Sequence, residues 1–127
     1  MVELSWTCYF LSVGKPVIAI KVGMLAITQK TDLKSALIRS LSTIQSSNHE
    51  LVEVLGLVYL TDGPYPARDA EDLERKLHVE FVSQCRFKTG TRGAEWFNST
   101  IEIIEKVRRI SVSPDQLGLP RTVGVLP

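Results

Sequence analysis

Apolar residues near the start of the chain form two short blocks that predict a β-hairpin. Residues 9–13 and 17–23 are rich in aromatic and branched side chains, a composition that favours strands. Gly14, Lys15 and Pro16 lie between the blocks and are typical turn residues. We therefore expect two antiparallel strands joined by a short turn.

The next apolar residues recur at intervals of three or four and predict an amphipathic helix. Thr31 and Asp32 offer its N-cap, and the polar residues 46–48 mark its end. The apolar face contains Leu33, Leu37, Leu41 and Ile44. A helical wheel places Arg39 away from this face, which does not favour a role for Arg39 in a site on the sheet.

A third strand and a second helix follow in the pattern. Residues 51–60 are dense in branched and apolar side chains, which predicts a largely buried strand. After the turn-forming residues 61–66, helical spacing returns, with acidic residues in the first turn of the helix. The apolar face of this second helix contains Ala70, Leu73, Leu77 and Phe81.

The last part of the pattern predicts a third helix and a tail. Residues 96–97 form a short apolar anchor, after which Asn98 or Ser99 offers an N-cap. The stripe expected to pack on the sheet contains Ile101, Ile104 and either Val107 or Arg108. From residue 113 onward, proline and glycine recur without a period, which predicts loose order.

This order of elements predicts an α+β fold, with a small three-stranded antiparallel sheet flanked by helices. A chain of 127 residues with 44% hydrophobic content is long enough for one domain with a core. We place that domain at residues 1–110 and a loosely ordered tail at residues 111–127.

Charge restricts the kind of nucleic-acid contact that is possible. Fifteen basic and fourteen acidic residues give a formal charge of +1, which excludes the strong global field of a protein that coats nucleic acid. Any such contact must be local. Arg86, Lys88 and Arg92 are interleaved with glycines and could engage phosphates, although most cationic loops are simply solvated.

Cysteine usage and the N-terminal pattern predict the compartment. Cys8 and Cys85 match neither a metal-binding spacing nor a disulfide-rich framework, so we expect thiols in a reducing compartment. We see no basic leader with a cleavage site, and Lys15 and Lys21 interrupt any apolar run of membrane length. We expect a cytosolic protein, or a nuclear one in a host with a nucleus, and no membrane partner.

Two polar residues of the predicted hairpin are candidates for chemistry. Tyr9 opens the first strand, where the ordinary interpretation is a half-buried aromatic side chain. Lys21 lies inside an apolar strand, and burying an unpaired cation is costly. It must reach a substrate, a partner or a sheet edge, where lysine blocks aggregation. Function and edge protection are about equal alternatives for Lys21.

Glu74 and His78 are four residues apart on the second helix and share a flank beside its apolar face. A carboxylate there can hold Mg²⁺, which takes few protein oxygens and completes its shell with water and phosphate oxygens. A surface helix pair is the simpler interpretation of this spacing. The sequence has no Gly-x-Ser-x-Gly elbow, which argues against an acyl-enzyme hydrolase.

Five short motifs follow one another along the chain: residues 8–10 (Cys-Tyr-Phe), 20–23 (Ile-Lys-Val-Gly), 42–48 (Ser-Thr-Ile-Gln-Ser-Ser-Asn), 73–81 (Leu-Glu-Arg-Lys-Leu-His-Val-Glu-Phe) and 95–97 (Glu-Trp-Phe). In this order they resemble the GIY-YIG endonuclease superfamily, in its phage-type branch, whose second motif is commonly Ile-Lys-Ile-Gly. The third motif resembles that branch's Leu-Gln-Thr-Gly-Asn stretch, and the fourth its Leu-Glu-x-x-Leu-His-x-x-Phe helix.

The resemblance implies a GIY-YIG-like fold and metal-dependent hydrolysis of DNA phosphodiesters, with Mg²⁺ or Mn²⁺ as cofactor and double-stranded DNA as substrate. Tyr9 would bind or activate the attacking water, and Lys21 would replace the family's second tyrosine. Glu74 would bind the metal ion. Arg39, with Lys34 as its rival, would neutralise charge on the phosphate.

Two alternatives to a nuclease stay open: a catalytically inactive module of the same fold that binds DNA or regulates, and a protein-interaction domain. No dedicated DNA-reading element is visible beside the core, so specificity would come from a partner protein, from oligomerisation or from residues 86–92. The substrate contacts that we expect are Lys34, His78, Arg86, Lys88 and Arg92.

Overall fold

The computed structural model describes residues 3–28, 30, 32–60, 66–84 and 96–122. The elements in chain order are β1 (Glu3–Val13), β2 (Ala19–Thr28), α1 (Leu33–Ser46), β3 (Val52–Leu60), α2 (Pro66–Glu80), a 3₁₀ turn (Val82–Gln84), β4 (Trp96–Asn98), α3 (Ile101–Ile110) and a second 3₁₀ turn (Pro114–Leu117). Within these ranges, no helix combines the length and the apolar character needed to cross a membrane.

The predicted hairpin forms, and it is longer than the apolar blocks indicate. β1 and β2 pair in antiparallel fashion from Val13 opposite Ala19 back to Glu3 opposite Thr28. The turn between them contains Gly14 at a φ of 90°, a conformation that glycine adopts at little cost. The Ile18 amide closes the turn by donating to the Val13 carbonyl at 2.9 Å. The register is unbroken from Val13 to Ser5 and shifts only between Ser5 and Glu3, which makes the hairpin the longest continuous pairing among the described strands.

The sheet has four described strands in the order β3-β1-β2-β4, so the prediction of three strands is wrong. The extra strand is β4, in which Phe97 lies opposite Ile20 of β2. We expected only an apolar anchor there, because a strand of three residues is too short to display the alternating pattern that identifies strands. The coarser prediction of an α+β fold with an antiparallel sheet is confirmed.

Consecutive residues of each strand point to opposite sides of the sheet, which gives the molecule two distinct faces. On the side that we call the α1 face, the buried core contains Tyr9, Leu11, Val13, Ala36, Leu37 and Leu41. On the side that we call the α2 face, it contains Cys8, Phe10, Ile20, Leu77, Phe81, Phe97, Ile103 and Val107. Helix α1 thus covers one face, and helices α2 and α3 cover the other.

The helix starts differ in how well local sequence predicts them. Asp32 caps α1 as expected, its Oδ1 accepting from the Ser35 amide at 2.7 Å. Hydrogen bonds from the Ser35 backbone and then its side chain lower the pKa of Asp32. Helix α3 begins later than predicted, with Thr100 as its cap in place of Asn98 or Ser99.

The stripe predicted for α3 is correct only in part. Ile103 and Val107 are the buried residues of this helix, whereas Ile101 is 71% exposed. Because α3 starts at Ile101, that side chain lies in the first turn, one residue past the cap, and does not reach the sheet. The packed face instead contains Ile103 and Val107, which are four residues apart and therefore lie on the same side of the helix.

Residues 111–122 make regular contacts with β3, which differs from the loosely ordered tail expected there. Val112 exchanges two hydrogen bonds with Leu57, each 2.9 Å long, and the Val54 amide donates to the Arg121 carbonyl at 2.7 Å. Pro114 is buried. The sequence did not predict these contacts, because a segment that pairs with an outer strand at a few residues needs no repeating pattern of apolar residues. Residues 123–127 lie outside the described ranges.

Candidate functional site

Three of the predicted catalytic residues line one cavity on the α1 face. This cavity, which we call the phosphate pocket, has a volume of about 320 Å³. Its lining consists of Tyr9, Lys21, Arg39, Ser40, Thr43 and Ile44. Tyr9 comes from β1, Lys21 from β2, and the remaining four residues from α1. Residues that are up to 35 positions apart in sequence therefore meet at one place.

Tyr9 is positioned by a glycine on the neighbouring strand. Tyr9 lies opposite Gly23 in the pairing of β1 with β2. A Cβ atom on Gly23 would overlap Cζ and the hydroxyl oxygen of Tyr9, so the tyrosine ring crosses directly over the glycine. Only 6% of Tyr9 is exposed. The glycine thus allows a buried ring to carry its hydroxyl from β1 to a position over β2, the strand that bears Lys21.

Lys21 is not an edge residue, which removes edge protection as the explanation for its charge. It lies opposite Leu11 of β1 on one side and opposite Trp96 of β4 on the other. Its Nζ is 5.6 Å from the centre of the Trp96 ring, within the range of a cation–π interaction. The side chain is half-buried and also lines the phosphate pocket. The aromatic contact and the pocket together account for a lysine in an apolar strand.

Arg39 faces the site after all, contrary to the expectation from the helical wheel. Its neighbours Ser40 and Thr43 line the same pocket, so this flank of α1 borders β2. The Thr43 hydroxyl donates to the Arg39 carbonyl at 3.1 Å and satisfies its own donor within the helix. The long arginine side chain can reach the pocket from the side of the helix. A helical wheel shows only the direction in which a side chain leaves the helix and not its length. The rival Lys34 is an exposed residue of the first turn of α1.

Glu74 and His78 line a different cavity, on the α2 face. This cavity, which we call the acidic pocket, has a volume of about 450 Å³ and also contains Val22, Glu71, Arg75 and Phe97. The His78 and Phe97 rings meet edge to face with centroids 5.7 Å apart. The shared flank predicted from their spacing is therefore present, and it packs beside a buried aromatic ring.

Glu74 lies on the same side of the sheet as the Cys8 thiol. Burial, followed by the negative charge of Glu74, raises the pKa of the Cys8 thiol from 9.0 to about 12. Cys8 belongs to the α2-face core, and the next residue, Tyr9, belongs to the α1-face core. Glu74 thus acts on the thiol side, with the sheet between it and the phosphate pocket.

The donor set does not fit a metal ion shared by Glu74 and the phosphate pocket. Mg²⁺ and Mn²⁺ prefer oxygen ligands, carboxylates above all. The described lining of the phosphate pocket includes no carboxylate. Among the described residues, no group of three or more histidine, cysteine, aspartate or glutamate side chains could hold a metal ion.

The two pockets differ in electrostatic character as well as in position. Lys21 and Arg39 give the phosphate pocket two cationic side chains beside the hydroxyl groups of Tyr9, Ser40 and Thr43. Glu71 and Glu74 give the acidic pocket two carboxylates, opposed by Arg75. The lining charges therefore favour an anion in the phosphate pocket over one in the acidic pocket.

Three predicted substrate contacts, Arg86, Lys88 and Arg92, lie outside the described residues. Sequence reasoning assigned no site role to Ser40 or Thr43, although both line the phosphate pocket. It also assigned none to Trp96 beyond an apolar anchor. The signal that could have identified Trp96 is its strand position, because a residue paired with Lys21 has its side chain on the same face.

Comparisons with protein-family models, with curated proteins and with solved structures find no match.

Proposed function

We propose that this protein binds DNA through a backbone phosphate held in the phosphate pocket, as a GIY-YIG-like module that has kept the phosphate-binding half of a nuclease site. The observation that carries the proposal is the convergence of Tyr9, Lys21 and Arg39 in a cavity whose described lining includes no carboxylate. Each of the three residues was a candidate on sequence grounds, and each comes from a different element.

The chemistry of the pocket suits a phosphodiester. Arg39 can present a planar fork of donors to two phosphate oxygens, and Lys21 a compact point charge. Tyr9 and Ser40 add hydroxyl groups at the same place, whereas the Thr43 hydroxyl already donates to the Arg39 carbonyl. Because the whole chain carries a formal charge of only +1, attraction to DNA depends on this local arrangement. We therefore expect weak binding that involves few phosphates.

Cleavage of DNA is the second candidate, and one observation favours it. The Tyr9 hydroxyl lies over Gly23 on β2, the strand that carries Lys21, which places a proton donor and acceptor beside cationic groups. Such a group could orient an attacking water while Lys21 and Arg39 stabilise charge on the phosphate. Glu74, on the other face, supports no step of this kind.

Binding is tested with a fluorescently labelled DNA duplex at low and at moderate salt. Arg39→Gln is expected to weaken binding about uniformly across sequences and to reduce the slope of log K against log salt by about one. Arg109→Gln is the matched control, because Arg109 is an exposed arginine of α3, on the opposite side of the sheet. Equal loss in both variants would contradict a pocket at Arg39.

Cleavage is tested by incubating the wild type and its variants with the same duplex and Mg²⁺ or Mn²⁺. Binding without any cleavage product supports the inactive module. Cleavage that Tyr9→Phe abolishes while Arg109→Gln preserves it would establish the nuclease instead. If Glu74→Ala then also abolished cleavage without loss of stability, Glu74 would have to take part in the same site as Tyr9, and the separation of the two pockets would be wrong.

A further inference from the structure

A second cavity on the α1 face adjoins the phosphate pocket. It has a volume of about 410 Å³, which is within the range of small-molecule sites. Lys21 and Ile44 line both cavities, so the two share a wall. We call the second cavity the Trp96 pocket, and its principal lining residues are Ile18, Lys21, Ile44, Ser47, Asn48 and Trp96.

The walls of the Trp96 pocket combine a flat aromatic ring, branched apolar side chains and a polar end. Trp96 and Ile44 are half-buried, whereas Ile18 is 51% exposed and borders solvent. Asn48 and Ser47 lie at the C-terminal end of α1. The Asn48 Nδ2 donates to the Ile44 carbonyl at 2.7 Å, which restricts the orientation of the amide. A planar heterocycle with polar edges suits this combination better than an aliphatic group does.

We propose that the Trp96 pocket receives an unpaired base of the nucleotide whose phosphate occupies the phosphate pocket. This proposal rests on the proposed function. Bases stack on aromatic side chains with little sequence preference, because every base has a π face. Ser47 and Asn48 then meet the edge of the base and provide discrimination among bases through hydrogen bonds. The preferred ligand is thus a nucleotide in a single strand, at a strand end or flipped out of a duplex.

The position of Lys21 connects the two halves of the site. Its Nζ is 5.6 Å from the Trp96 ring centre and the same side chain lines the phosphate pocket. In a nucleotide, a sugar separates the base from its phosphate, so the two groups require adjacent cavities and not a single one. Acidic residues are not among the described lining of either cavity, so none of these lining residues repels the phosphate.

The test compares strands that have equal numbers of phosphates but differ in their bases. The probes are a thymidine oligonucleotide, an abasic strand of the same length, a blunt duplex and thymidine monophosphate. Because the chain has two tryptophans, Trp6→Phe is the background in which Trp96 fluorescence reports alone. We expect the thymidine strand to bind about tenfold more tightly than the abasic strand and to quench Trp96.

Two variants at position 96 separate stacking from packing. Trp96→Leu keeps an apolar side chain and should lose the preference for the base-bearing strand while retaining affinity for the abasic strand. Trp96→Phe should retain part of the preference. Thermal unfolding of both variants checks that the fold is intact, and the wild-type comparison of the two strands decides the question even if both variants are unstable.

The outcomes distinguish this inference from the proposed function. Equal affinity for the thymidine and abasic strands would overturn the base subsite while leaving the phosphate pocket in place. No binding of any strand at low salt would overturn both. Tight binding of thymidine monophosphate with no gain from the oligonucleotide would show a site for free nucleotides and contradict a site on a DNA strand.

Discussion

The two faces of the sheet have similar construction and opposite chemistry. Each is a layer of apolar strand residues covered by helix, and each has a cavity lined by ionisable side chains. On the α1 face that cavity presents Lys21 and Arg39, whereas on the α2 face it presents Glu71 and Glu74. The first cavity thus presents two cations to an entering anion, and the second presents two carboxylates and Arg75.

Adjacent residues of one strand lie on opposite faces of the sheet. Cys8 and Tyr9 are neighbours, yet the first packs beneath α2 and the second beneath α1. The same holds for Trp96, which packs with the α1-face core, and Phe97, which packs with the α2-face core. Motifs that follow one another in the right order can therefore place their side chains on opposite surfaces, as Tyr9 and Glu74 do. Order along the chain is evidence for a fold and not yet for an assembled site.

The largest effect that tests this comparison is expected at β4. Phe97 is 1% exposed, so Phe97→Ala should lower the free energy of unfolding by about 3–5 kcal/mol through lost burial and an unfilled cavity. Trp96→Ala removes a half-buried ring and should destabilise less. Urea denaturation of both variants measures the difference. Equal losses of unfolding free energy in the two variants would contradict the placement of Phe97 in a buried core on one face and of Trp96 in a half-buried position on the other.

An intermediate effect is expected where Tyr9 crosses Gly23. Gly23→Ala should cost about 1–3 kcal/mol, because its Cβ would overlap the tyrosine ring. In a Tyr9→Ala background the same substitution should cost much less, since the overlapping atoms are gone. A double-mutant cycle from urea denaturation measures this coupling. Additive costs would contradict the crossing of ring and glycine, and with it the placement of the hydroxyl in the phosphate pocket.

The smallest effect is the part that Glu74 plays in the pH dependence of stability, since burial is the larger cause of the raised Cys8 pKa. Cys8 has a raised pKa in the folded state, so the folded protein keeps its thiol proton where the unfolded chain loses it. The contribution of Cys8 to stability is thus fully present below pH 9.0 and is lost as the pH rises toward about 12. The loss should be on the order of 1 kcal/mol for each pH unit in that window.

This prediction is measured as the pH dependence of unfolding free energy in a Cys85→Ser background, with Cys8→Ala as the reference. Glu74→Gln should make the loss with rising pH smaller, because the carboxylate helps to raise the thiol pKa. Arg39→Gln, on the other face, should leave the slope unchanged. A larger change from Arg39→Gln than from Glu74→Gln would reverse the assignment of these residues to their faces.

Local sequence was sufficient for most of the fold. Apolar residues that recur every three or four positions predict α1 and α2, and Asp32 is the expected cap of α1. The apolar blocks predict β1, β2 and β3. These features follow from the backbone hydrogen bonding and side-chain spacing of one segment at a time. Local sequence did not predict β4 or the contacts of residues 111–122, since both are stabilised by pairing with a strand that is distant in sequence.

The candidate site divides in the same way. The sequence by itself determined which residues are candidates for chemistry: Tyr9 and Lys21 on a hairpin, a cation on α1, and Glu74 with His78 on α2. Tertiary structure alone decided that Tyr9, Lys21 and Arg39 share a pocket, that Trp96 lies over Lys21, and that Glu74 lies across the sheet. The reason is geometric: a motif specifies residue type and order, whereas strand register and helix docking decide which face each side chain reaches.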